Sequence, residues 1–134
     1  METINLGQGS SGHDAHRSVA ISNAMVTTAL ELPGYRVVRS LGVVRGLTVR
    51  SRSIVGNLVG GLHSLFGGNI TVYTNLCEQT RVETYQLMLK QARMLGANAI
   101  IGMRYDATEL MPGLAEVLCY GTAILVEDGH ELPR

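Results

Sequence analysis

A small α+β domain, with a curved antiparallel sheet and two helices on one face, is the fold this sequence predicts. Three observations predict it. An extended, glycine-interrupted apolar pattern runs from Tyr35 to Val49, a helical stripe runs from about Val72 to Leu95, and two further strand patterns flank the turn Met111-Pro112-Gly113.

The first strand alternates. Tyr35, Val37, Leu41, Val43, Leu47 and Val49 fall on one face, and Arg36, Val38, Ser40, Val44, Thr48 and Arg50 on the other. Gly42 and Gly46 interrupt it, and glycines inside a strand mark bulges, bends or close backbone approach, so a sharply curved strand is expected. Ser53 can cap a helix through Ile54, Leu58, Leu62 and Leu65 that ends at Gly67-Gly68. In the longer helix Val82, Tyr85, Leu89, Ala92 and Leu95 form the stripe, Met88 widens it, and Gly96 stops it.

Two strands close the domain, over 98–106 and 115–126. The last is apolar on both faces: Val117, Cys119, Ala123 and Leu125 on one, Leu118, Tyr120, Ile124 and Val126 on the other. A strand of that kind is covered on both faces. One layer of helices covers one face, so the other is expected to meet a neighbouring subunit.

Composition points the same way. The chain has 134 residues, enough for one domain that folds by burial alone. Charged residues are 16% and apolar residues 46%, which is little charge for a small monomer and suggests hidden surface. The formal net charge of zero argues against broad capture of nucleic acid or an anionic membrane. No apolar run reaches the roughly 18–20 residues of a membrane span, since the stretch from Ile54 to Phe66 is broken by Gly56, Gly60 and Gly61.

Residues 1–24 are rich in Gly, Ser, Asn and His and read as a flexible or partner-docked arm; 25–127 form the domain and 128–134 a polar tail. Met25 to Thr28 reads as a short strand start, and Pro33-Gly34 as a turn. The arm lacks the apolar core of a secretory signal, and Cys77 and Cys119 form no Cys-x-x-Cys pair. Two reduced, buried core thiols in a cytoplasmic protein are expected.

The segments GVVRGLTVRSR (Gly42–Arg52), LGANAIIGMRYD (Leu95–Asp106) and AEVLCYGTAILVE (Ala115–Glu127), with Gly67-Gly68 and Tyr73-Thr74 between them, resemble the YbjQ family of small bacterial proteins. The resemblance covers Met25 to Glu127 in the family's order. It implies a YbjQ-like, dodecin-like subunit assembled into a ring, typically a homopentamer. Such proteins are labelled heavy-metal-binding, which would make a transition metal ion the cofactor.

Several residues are candidates for a site. A metal needs converging Cys, His or carboxylate ligands. His13 and His16 could share one helical turn, Cys77 and Cys119 could meet in the fold or across an interface, and His63 is a weaker ligand candidate. Arg45, Arg50 and Arg52, with Arg39, make a basic cluster on or just after one strand. They could pair with Glu116, Asp106 or Glu109 at subunit contacts, or hold an anion or small ligand near the ring axis, because the planar guanidinium serves both uses.

Catalytic patterns are weak. Asp106 and Glu109 have no positioned His or nucleophile beside them, Ser51 and Ser53 lack a Gly-x-Ser-x-Gly context, and the glycines at 56, 60 and 61 are not followed by Gly-Lys-Ser/Thr. The sequence therefore predicts a non-enzymatic ring that binds a metal or small ligand. An adaptor ring that recruits a protein partner through its face or arm is the alternative.

Overall fold

The structure is a computed structural model and describes residues 20–51 and 70–130. Its elements are a 3-10 turn at Asn23–Met25, strand β1 (Tyr35–Ser51), helix α1 (Ile70–Met94), β2 (Ala99–Met111) and β3 (Leu114–Asp128). The three strands form one antiparallel sheet in the order β1-β3-β2. The chain is thus α+β as expected, and α1 packs on one face of the sheet. The other expected helix, over 53–66, lies outside the described residues.

β1 carries two register irregularities, one of them at a glycine of the kind the sequence suggested. Its pairing with β3 slips between Val37 and Arg39 and again between Ser40 and Gly42, where Gly42 has φ +98°. Two slips in five residues reverse the alternation and then restore it. Leu41, expected beside Val43, therefore packs with Val44 against the helix-side core.

The helix-side core joins Met88, Leu89 and Ala92 of α1 to Val44, Ile100, Cys119 and Ala123 of the sheet. The buried row of α1 also holds Thr80 and Thr84, while Val82 and Leu95 of the expected stripe are exposed. Threonine occupies the core because its polar atom is satisfied locally. The Thr80 hydroxyl donates to the Leu76 carbonyl (2.8 Å), and that of Thr84 donates to the Thr80 carbonyl (2.7 Å). The Thr48 hydroxyl on β1 lies 2.9 Å from that of Thr84, whose one proton is already used, so Thr48 is the donor.

Residues 20–34 wrap the start of β2. Met25 to Thr28 forms no full strand: Val26 makes one parallel bridge to Ile100, the Thr27 N–H donates to the Ile100 carbonyl, and Gly102 and Met103 donate back to the Ala29 and Thr27 carbonyls. Ile21, only 6% exposed, joins the helix-side core, and the Tyr85 hydroxyl donates to Asn23. Met25 and Leu32 pack on Ala99, Ile124 and Val126. The chain's own N-terminal segment thus covers one end of the sheet's second face, which the sequence had assigned to a neighbour. Among the described residues nothing else packs over the rest of that face, where Val43, Leu47 and Val49 are exposed.

Candidate functional site

Strand pairing sorts the candidate residues by face. Arg50, Ala115 and Glu109 stand in one cross-strand row beneath α1; Thr48, Val117 and Ala107 form the next, and Gly46, Cys119 and Tyr105 the third. On the open face the rows are Arg45–Tyr120–Arg104, Leu47–Leu118–Asp106 and Val49–Glu116–Thr108. The basic cluster is therefore divided: Arg45, Asp106 and Glu116 share the open face, whereas Arg50 lies under the helix. Arg39 stands opposite Leu125 in the bulged stretch. Arg52, His13, His16 and His63 lie outside the described residues.

Beneath the N-terminal half of α1 the sheet side chains become small. Ala107 and Ala115 lie where bulkier residues would fill the space, and an apolar groove of about 510 Å³ results. Its floor is Ala107, Ala115 and Val117, its roof Leu76, Cys77 and Thr80, and the hairpin turn at Gly113 closes its outer end. The Arg50 guanidinium donates to Glu83 of α1, a pair that holds β1 to the helix. On the other side Arg81 lies 5.5 Å from the centre of the Tyr105 ring, and the Tyr105 hydroxyl donates to the Arg81 carbonyl (3.3 Å). Arg50 and Arg81 thus both line the groove, Arg50 from the row nearest the hairpin and Arg81 beside Tyr105 two rows further in.

The carboxylates lie elsewhere. Glu109 turns toward the hairpin and accepts from the Gly113 N–H at 3.4 Å. Asp106 borders the groove, but alternation carries its side chain to the opposite face.

The two cysteines differ. Cys119 is fully buried, with Sγ 3.6 Å from Met88 Sδ. Burial pushes its thiol up to about 11, and hydrogen bonding to Tyr105 only partly offsets this. Burial, followed by the neighbouring Cys119, likewise pushes the Tyr105 phenol up to about 12, against the pull of Arg81. Cys119 is therefore a neutral thiol at ordinary pH, unsuited to nucleophilic attack or metal ligation without losing its proton. Cys77 corrects the expectation of two buried thiols: it is exposed at the groove. Among the described residues no three His, Cys, Asp or Glu side chains stand together as a metal site, and no helix is long and apolar enough to cross a membrane.

The groove depends on residues that drew no attention in the sequence, namely Arg81, Tyr105, Ala107 and Ala115. The available signal was two alanines on the helix-facing side of adjacent strands, opposite the start of a long helix.

These features define a two-layer α+β domain, one long helix on an antiparallel sheet, with an apolar groove between the layers. The chain belongs to the YbjQ family: the family model described as "Putative heavy-metal-binding" matches residues 24–127. A UPF0145 protein of Chromobacterium violaceum is 72% identical over 103 residues, which are 77% of this chain and 88% of that protein. A UPF0145 protein of Solibacter usitatus is 58% identical over 106 residues, 79% of this chain and 95% of that protein. The crystal structure of a DUF74-family protein of unknown function from Pediococcus pentosaceus superposes with a TM-score of 0.51 at 25% identity, covering 76% of this chain and 96% of that one.

Proposed function

We propose that the chain is the subunit of a non-enzymatic homo-oligomeric ring whose inter-layer groove binds a small ligand. The observation that carries the assembly is a pair of unlike apolar patches on opposite sides of the subunit. On the open sheet face Val43 is 72% exposed, and Leu47 and Val49 are exposed beside it. On the helix Leu87 and Met94, seven residues apart and so on one side of it, are exposed, Met94 by 78%. Apolar surface left open in this way marks an interaction site. A contact between two different patches is head-to-tail, and repeated head-to-tail contacts close into a ring when the rotation permits. Five subunits is the number the family resemblance implies.

The family's description names heavy metals, but the donor groups of the described residues do not fit a metal centre. The groove, apolar and with polar groups at its edge, suits a small organic ligand better.

Native mass spectrometry with light scattering tests the assembly. A closed oligomer is expected, and Val43→Asp should dissociate it, because a charge would be placed in a desolvated contact. A wild-type chain that stays monomeric at micromolar concentration would overturn the ring. A ring that purifies with a protein partner bound would favour the adaptor alternative.

A further inference from the structure

The groove discriminates by charge as well as by shape. Its volume of about 510 Å³ lies in the range of small-molecule sites, about 300–1,000 Å³. Its floor of Ala107, Ala115 and Val117 offers nothing to a polar body. Its lining, by contrast, also holds two arginines, Arg50 from β1 and Arg81 from α1. A guanidinium carries five N–H donors in a planar fork, and the bond from Arg50 to Glu83 uses a single nitrogen. Arg81 is held over Tyr105 rather than tied to a carboxylate. Of the nearby acids, Glu83 pairs with Arg50 and leaves that guanidinium its remaining donors, whereas Glu109 is folded back on Gly113 and Asp106 is directed to the other face, so the charge of Arg81 stands uncompensated at the groove.

From this we infer that the groove binds an organic carboxylate, its apolar chain lying over Ala107, Ala115 and Val117 and its head group held between Arg50 and Arg81. The inference rests on the groove being the ligand site and adds the class of ligand. Charge-assisted hydrogen bonds from two arginines would orient the molecule, and the apolar floor would supply contact area.

Isothermal titration calorimetry on the full chain tests it, with decanoate and decanol as probes of equal chain length. Decanoate should bind at one site per chain and at least about tenfold more tightly than decanol, the difference expected for hydrogen bonds to a charged group. The double variant Arg50→Gln, Arg81→Gln should bring the ratio of the two affinities, measured in the same protein, close to one. Ala115→Leu fills the floor and should weaken both probes about tenfold or more; Ala107→Leu replaces it if that variant does not fold.

Equal affinity for the two probes would overturn the carboxylate class while leaving the groove as a site. No binding of either probe, or unchanged binding in the floor-filling variant, would overturn the groove itself.

Discussion

Gly46 on β1 lies so close beneath Thr84 on α1 that a Cβ at position 46 would stand 1.9 Å from the Thr84 carbonyl oxygen and 2.8 Å from the Met88 nitrogen. Both atoms are helix backbone, so neither can swing away. This close approach sets the separation of the two layers, and the Thr48–Thr84 hydrogen bond and the buried Met88 depend on it.

Gly46→Ala should therefore lift the helix from the sheet. The expected loss is about 3 kcal/mol or more, above the usual range for one added methyl because the clash is with backbone. Thermal unfolding checks it. A change in melting temperature no larger than that of an exposed-surface substitution would show that the layers can separate at little cost.

The cysteines should behave oppositely. Cys77 is exposed, so Cys77→Ser should change stability by no more than about 0.5 kcal/mol. Cys119→Ser places a hydroxyl against Met88 and should cost about 1–3 kcal/mol. In the native chain a thiol reagent should modify Cys77 promptly and Cys119 only on unfolding. Prompt modification of both would contradict the burial of Cys119.

Alkaline pH should destabilise the fold earlier than arginine- and lysine-bearing surfaces alone would suggest. The Cys119 thiol is raised from 9.0 to about 11, and the Tyr105 phenol from 10.0 to about 12. Between the ordinary and the raised value the folded chain keeps a proton that the unfolded chain has lost, so rising pH favours unfolding. The stability from these groups is complete below about pH 9 and is lost as the pH passes through about 11 to 12. Melting temperature should decline across that window, and Tyr105→Phe should flatten its upper part. An unchanged profile in Tyr105→Phe would mean that this phenol titrates alike in both states.

The legible part of the fold came from period and punctuation. The expected ranges for β1, α1 and the closing hairpin each agree with the observed elements in place and type. The structure begins α1 at Ile70 and ends it at Met94, and extends β2 to Met111 and β3 to Asp128. Extension of β2 beyond Asp106 was not legible, because Thr108 and Glu109 carry no apolar alternation and are held by pairing with Glu116 and Ala115. The core threonines were equally hidden: Thr80 and Thr84 look like surface residues until helix carbonyls accept from their hydroxyls.

The candidate site was less legible than the fold. Arg50 was singled out, but with Arg45, Asp106 and Glu116, which strand alternation places on the opposite face. Arg81 and Tyr105 lie 24 residues apart in sequence and meet because α1, packed on β1 and β3, passes close to the side of β2.

The sequence by itself determined the family, the α+β class, the order of the described elements and the irregularity at Gly42, because these follow from local spacing and from the conformations a residue can adopt. Tertiary structure alone decided which face of the sheet α1 covers, where β1 slips its register, and that Ala107 and Ala115 leave a groove between two arginines. Each of those depends on contacts between residues distant in the chain, and a one-residue slip in pairing changes the face of a side chain without changing a letter of the sequence.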